Sequence, residues 1–182
     1  MKKITIYIVL ALLCLNFSAR SQNRESRSPL TIGDTMPDVT VQHVTNYHSK
    51  TLRLSDFRGR LVILDFWATW CGSCLKQFPH LDALASKLGK KVAIILVNCK
   101  KTRDDQASID YTFSGIKRPQ HLPVVALDTV IGNLFAYTTL PHYVWIAPDG
   151  RICAITDQFQ VNEANISKIL NGEQIRLPLK KD

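Results

Sequence analysis

Leu61-Val62-Ile63-Leu64-Asp65-Phe66-Trp67 runs through Ala68-Thr69 into Trp70-Cys71-Gly72-Ser73-Cys74, and the fold hangs on that junction. An apolar run of strand length delivers two cysteines, spaced C-x-x-C, to the start of a predicted helix. At that spacing the sulfurs close into a small disulfide ring or open into a dithiol, which suits reversible redox chemistry. Zinc sites use the same spacing but need two further ligands. Cys99 and Cys153 stand alone, and His80 is the only histidine close to the pair in sequence. The pattern points to a redox-active Cys71–Cys74 disulfide, with no other cofactor and no metal expected.

Working outward, Leu61 to Phe66 is nearly continuous in apolar residues, as a strand buried on both faces requires. Upstream, Val39 to Val44 and Thr51 to Leu54 alternate in the strand manner about a turn at 46–50, which predicts an N-terminal hairpin. Ser55 to Gly59 reads as one helical turn closed by glycine. Downstream, Phe78, Leu81, Leu84, Ala85 and Leu88 recur at helical spacing until Gly89. Val92 to Val97 is a second buried strand, 104–113 a helix carrying Ile109 and Phe113, Val124 to Leu127 a short strand, and 129–137 a helix. Tyr143 to Ile146 and Arg151 to Ile155 flank Pro148-Asp149-Gly150, a strong hairpin signal. An amphipathic helix over 162–170 ends at Asn171-Gly172. Strands alternating with helices, then a terminal hairpin, predict an α/β fold with a central mixed sheet covered by helices on both faces.

At 182 residues the chain is expected to hold one domain, over 30–172, followed by a polar tail at 173–182. Met1-Lys2-Lys3 followed by Ile4 to Leu15 has the form of a signal peptide, its apolar stretch too short to span a membrane comfortably. Ala19 and Ser21 place the expected cleavage after Ser21, leaving a flexible lead-in at 22–29. Cys14 offers the alternative of a lipid anchor, although Leu12 and Leu13 are bulky where such a site wants small residues. Either route exports the protein, with the periplasm, where disulfides persist, as the expected compartment. Without the leader the formal charge falls from +8 to +5, a solvated-surface excess with no basic stripe interleaved with aromatics, so nucleic acid is excluded as a partner. The 162–182 end carries no oligomerisation signal, and a monomer is expected.

Asp65 to Cys74 resembles the active-site segment of thioredoxins. The wider chain, over about Leu30 to Leu170, resembles the exported TlpA/ResA-type thiol-disulfide oxidoreductases. The N-terminal hairpin with Leu54-Ser55-Asp56-Phe57-Arg58-Gly59 carries that likeness, as do the extra segment between Lys100 and Thr139 and Leu140-Pro141 before Pro148-Asp149-Gly150. The resemblance implies a thioredoxin-like fold with a hairpin extension and a segment inserted ahead of a cis-proline strand.

It also implies roles. Cys71, placed at a helix N-terminus, has its thiolate stabilised by free amides and the helix dipole and is the attacking sulfur. Cys74, one turn in, resolves the mixed disulfide. Asp65 lies inside an apolar strand, where a carboxylate is costly without a task or a partner. The resemblance supplies the task, taking and returning the proton of Cys74, and a structural hydrogen-bonded role is the alternative. Pro141 matches the cis-proline that faces the disulfide, and Leu140 offers main-chain groups to an extended substrate. Trp70 is expected on the docking rim and Trp67 in the core. Pro79 matches a helix-kinking proline. Gly72-Ser73 between the cysteines sets the redox potential, with Ser73 where proline is common. His142 follows Pro141 and either faces Cys71, stabilising its thiolate or making activity pH-dependent near neutrality, or turns toward solvent or packs nearby.

The expected activity is thiol-disulfide exchange with protein thiols and disulfides, in the reducing direction. The partners would include apocytochrome c, with a membrane thiol reductase as electron donor. Two alternatives stay in view. A thiol peroxidase of peroxiredoxin type needs Pro-x-x-x-Thr/Ser-x-x-Cys, and Ala68 stands at the hydroxyl position. A copper-delivering module would use CxxxC and a distant histidine. Cys99 and Cys153 are expected about three strand spacings apart, roughly 14 Å, beyond disulfide reach, as small buried thiols.

Overall fold

The computed structural model describes residues 28–173 and 175–180. The expected leader, the cleavage point after Ser21 and Cys14 lie outside the described residues, as does all but the end of the 22–29 lead-in.

The seven residues of β4 (Leu61–Trp67) and the eight of β5 (Val92–Cys99) are buried without exception. They pair in parallel at the centre of a six-stranded sheet. β6 (Val124–Asp128) continues the parallel set beside β5. On the other side β7 (His142–Ile146) runs antiparallel to β4 and carries β8 (Ile152–Thr156) at the sheet edge. The predicted turn joins β7 to β8, with Gly150 at φ 88° where a side chain would be strained.

Period-two alternation on β4 sorts the core into two layers. Leu61, Ile63 and Trp67 pack with three α-helices: α1 (Gly72–Leu88), α2 (Gln106–Gly115) and α3 (Glu163–Leu170). Val62, Leu64 and Phe66 face the other way, onto Met36, Leu52, Leu54, Phe57, Ile131 and Phe135. That second face is covered by the N-terminal hairpin and by single 3-10 turns at Leu54–Phe57 and Ile131–Asn133.

The structure departs from the sequence expectations in three places. The strand expected over Val39 to Val44 divides. β1 (Thr40–Val41) pairs with β3 (Leu52–Arg53), whereas β2 (Val44–Thr45) leaves the hairpin and adds antiparallel to β6. His43, at φ 55°, makes the bend between the two. The helix expected over 129–137 is reduced to the Ile131–Asn133 turn. The Asp128 carboxylate gathers the amides of Val130, Ile131 and Gly132 at 3.1, 3.2 and 2.7 Å, and the Leu134 carbonyl is taken by the Leu30 amide at 2.8 Å instead of by a following helical turn.

α2 starts two residues later than expected because Asp105, not Asp104, caps it, accepting the Ser108 amide at 2.8 Å. Of the 173–182 tail, residues 173 and 175–180 are described. Ile175 and Leu177 pack on the helical core, and the Lys180 amide reaches the Ile155 carbonyl of edge strand β8 at 3.1 Å. Cys99 and Cys153 are free thiols on β5 and β8, three strands apart, with Cys99 buried and Cys153 half-buried.

Candidate active site

β4 ends at Trp67, three residues form a turn, and Cys71 becomes the N-cap of the 17-residue helix α1. The Cys71 sulfur accepts the Cys74 amide at 3.3 Å, satisfying one of the free donors of the first turn. The two cysteines are joined as a disulfide with Cα atoms 5.3 Å apart. They are not equivalent: Cys71 retains 5% of its surface and Cys74 none. A reagent arriving from solvent therefore meets Cys71 first. Gly72 and Ser73 are exposed, and the Ser73 hydroxyl lies 3.6 Å from the Cys71 sulfur. At Gly72 a Cβ would meet nothing within 4 Å, so no steric demand there requires glycine.

Asp65 alternates with Ile63 and Trp67, which puts it on the α1 face of the sheet, the face that also buries Cys74. It is wholly buried, and neither carboxylate oxygen has a hydrogen-bond partner among the described residues. Burial pushes its carboxyl well above the usual carboxylate range. Tyr143, its register partner on β7, is equally buried, and its hydroxyl is also unpartnered. The phenol couples electrostatically to Asp65 without reaching hydrogen-bond geometry. It pulls the carboxyl partly back down, while burial first and then the Asp65 charge raise its own pKa far above that of a free phenol.

The Leu140–Pro141 peptide bond is cis. Pro141 precedes the Phe66↔His142 pair by one residue, so it lies opposite Trp67 at the end of the sheet that carries the cysteines. Leu140 is half-buried against both core layers. Trp70 is 66% exposed, its indole N–H donating to the Thr102 carbonyl at 3.2 Å. Trp67 is buried edge-on against Phe78 and Phe113, and Pro79 lies inside α1. His142 belongs to the opposite sheet face from the cysteines. It is buried, stacked on Tyr137 at 4.8 Å and edge-on to Phe66 at 5.7 Å, so of its two expected placements the packed one is observed.

Among the described residues no group of three or more His, Cys, Asp or Glu side chains could hold a metal ion, and no helix is long and apolar enough to cross a membrane. The structure adds residues that the sequence did not single out. Thr102 and Asp104 contact the turn before Cys71 from a polar Lys-Lys-Thr-Arg-Asp run that has no motif of its own, and Asn98, buried near the end of β5, reaches the Trp67 carbonyl just ahead of that turn. Tyr143 could have been paired with Asp65 only by knowing the β4–β7 register.

A profile of the AhpC/TSA family matches residues 32–153. The chain belongs to that family. Within it, the chain is 32% identical over 150 residues to the thiol-disulfide oxidoreductase ResA of Bacillus cereus, covering 80% of this chain and 82% of the relative. With ResA of Geobacillus thermodenitrificans it shares 30% identity over 95 residues, 52% of this chain, and so spans about half, 53%, of that relative's length. The crystal structure of the pneumococcal exposed lipoprotein thioredoxin Etrx1 from Streptococcus pneumoniae superposes with a TM-score of 0.59 at 26% identity, covering 75% of this chain and 99% of that one. The fold is thioredoxin-like, and this AhpC/TSA family chain carries its cysteine pair at the N-terminus of α1.

Proposed function

We propose that the chain is an exported thiol-disulfide oxidoreductase that reduces disulfides in partner proteins through Cys71 and Cys74. The observation that carries this is the asymmetry of the pair, with Cys71 capping α1 and keeping a sliver of exposed surface while Cys74 behind it keeps none. In the reduced enzyme the Cys71 thiolate, stabilised at the helix N-terminus, attacks one sulfur of the partner's disulfide. A mixed disulfide forms and the partner's other sulfur leaves as a thiolate, taking up a proton. Asp65 then accepts the Cys74 proton, its raised pKa bringing it towards the working range of a base. The Cys74 thiolate attacks the Cys71 sulfur, the Cys71–Cys74 disulfide closes, and the second partner thiol is released. Two electrons pass from the enzyme dithiol to the partner.

Trp70, Gly72, Ser73, Leu140 and Pro141 are the surface an extended partner segment would meet, and His142 supports it from beneath. Names of the relatives support the thiol-disulfide chemistry, and the description of the pneumococcal protein as an exposed lipoprotein favours export. Cleavage after Ser21 is the first expectation and lipidation at Cys14 the second. Apocytochrome c is the proposed partner, fed by a membrane thiol reductase. A peroxidase would need a hydroxyl at residue 68, which is alanine, and the neighbouring Thr69 hydroxyl is committed to Asp104 at 2.6 Å.

Equilibration with glutathione or dithiothreitol buffers, followed by thiol trapping, tests the proposal. A potential near or below about −270 mV supports a reductant, and one near about −120 mV reverses the direction to disulfide donation. Failure to cycle reversibly would sink the oxidoreductase reading altogether.

A further inference from the structure

The carboxylate of Asp104 accepts hydrogen bonds from two other parts of the chain. Its Oδ1 takes the Thr69 hydroxyl at 2.6 Å. Its Oδ2 takes the Thr69 amide at 2.9 Å and the side-chain amide of Asn98 at 2.6 Å. Asn98, buried near the end of β5, also donates to the Trp67 carbonyl at 3.4 Å. Two residues ahead of Asp104, the Thr102 carbonyl receives the Trp70 indole N–H at 3.2 Å. Thr69 and Trp70, the two residues before Cys71, are thus both held from the 100–104 segment that follows β5. Their own segment contributes one turn bond, from the Cys71 amide to the Ala68 carbonyl at 3.0 Å.

Asp104 has no duty in the helix that follows, because Asp105 caps α2. Arg103 beside it sits at φ 66°, a left-handed conformation disfavoured for a residue with a side chain, so the loop is held in a costly shape where Asp104 meets Thr69. No substitute supplies the same chemistry. Three donors converge on two oxygens, and an asparagine there would set an NH2 group against at least one of them.

We propose that Asp104 is a positioning residue for the nucleophile, fixing Thr69 and Trp70 so that Cys71 stays seated as the N-cap of α1. The inference rests on the oxidoreductase function proposed above. In the oxidised form the disulfide itself restrains both sulfurs. In the dithiol that covalent restraint is gone and Cys71 keeps only hydrogen bonds, its own to Ala68 and Leu75 and those of this clamp on its neighbours, so loss of the clamp weighs on the reduced, attacking form.

Asp104→Asn and Thr69→Val in the full chain test this, each read by insulin reduction with dithiothreitol and by the Cys71–Cys74 equilibrium with glutathione. A wild-type protein that neither reduces insulin nor cycles reversibly overturns the underlying function instead, and is distinguishable on that ground. With an active wild type, each variant is expected to lose about tenfold in kcat/KM, the size of one charge-assisted hydrogen bond. Each is also expected to shift the glutathione equilibrium toward the disulfide, and the double variant to be no worse than the more impaired single. If Asp104→Asn does not fold, Thr69→Val, which keeps the amide bond to Asp104, carries the test alone. Folded variants with wild-type kcat/KM and an unmoved equilibrium overturn the proposal, as do losses that multiply in the double variant.

Discussion

Replacing Asp65 by asparagine exchanges one buried oxygen for an amide group and removes the charge, with almost no change of shape. In the folded protein the carboxyl is wholly buried without a hydrogen-bond partner among the described residues, and burial raises its pKa well above the ordinary range. In the unfolded chain it titrates near about 3.9. Between those two values the folded state holds a proton that the unfolded state has lost, so stability falls as pH rises through that window. The stability of the neutral form is fully present only below about pH 3.9.

Once Asp65 ionises, the folded protein bears an uncompensated buried charge, worth several kcal/mol, against about 1–3 kcal/mol for a neutral amide in the same place. Asp65→Asn should therefore stabilise the oxidised protein by about 2 kcal/mol at alkaline pH. For a domain of this size that is a rise in Tm of about 4–8 °C, shrinking toward zero near pH 4. The same change should lower kcat/KM for insulin reduction by about a hundredfold at neutral pH, the usual worth of a general base. Thermal melts of the oxidised variant and wild type from pH 4 to 9, with activity measured alongside, decide the matter. A pH-independent difference in Tm, or a variant that keeps full activity, would refute the assignment of a proton-handling role.

Tyr143→Phe removes the phenol that holds the Asp65 carboxyl partly down, so the midpoint of the pH–activity profile attributed to Asp65 should move upward; an unmoved or lowered midpoint counts against the coupling. Gly132→Ala would drive a Cβ into the Cys99 sulfur and to 3.3 Å from the Asp128 carboxylate, and should destabilise the fold by about 1–3 kcal/mol in urea titration while leaving the Cys71–Cys74 potential unchanged. Burial pushes the thiols of Cys99 and Cys153 up to about 11, so in the protein first reduced at Cys71–Cys74 an aromatic disulfide reagent at pH 8 should consume that pair quickly, react slowly with half-buried Cys153 and reach buried Cys99 only on unfolding. Rapid labelling of Cys99 in the folded protein would contradict its burial.

The cysteine pair and Asp65 were legible because their signals are local. A C-x-x-C spacing and a lone carboxylate in an apolar strand are properties of one short segment. Pro141 was legible through the resemblance, which supplied a partner element 70 residues away from Cys71. His142 was left open between two placements, since a residue following the proline can point to either sheet face until the β4–β7 register is known. Asp104 was invisible, because its contact with Thr69 spans 35 residues and its own neighbourhood, rich in Lys, Arg and Asp, looks like any solvated loop.

By itself, then, the chain's order of residues determined the two central strands, the helix that Cys71 caps and the spacing of the cysteine pair. Each depends on periodicity and spacing within about one element's length. Tertiary structure decided how the second sheet face is covered, where β2 pairs, which face receives His142, and which side chains hold the turn before Cys71. Asp128 and Leu30 took the backbone groups that a helix over 129–137 would have used for itself. Competition of that kind, between a local hydrogen bond and one offered from a distant segment, is settled only when the segments are packed together, and local propensity carries no record of the distant offer.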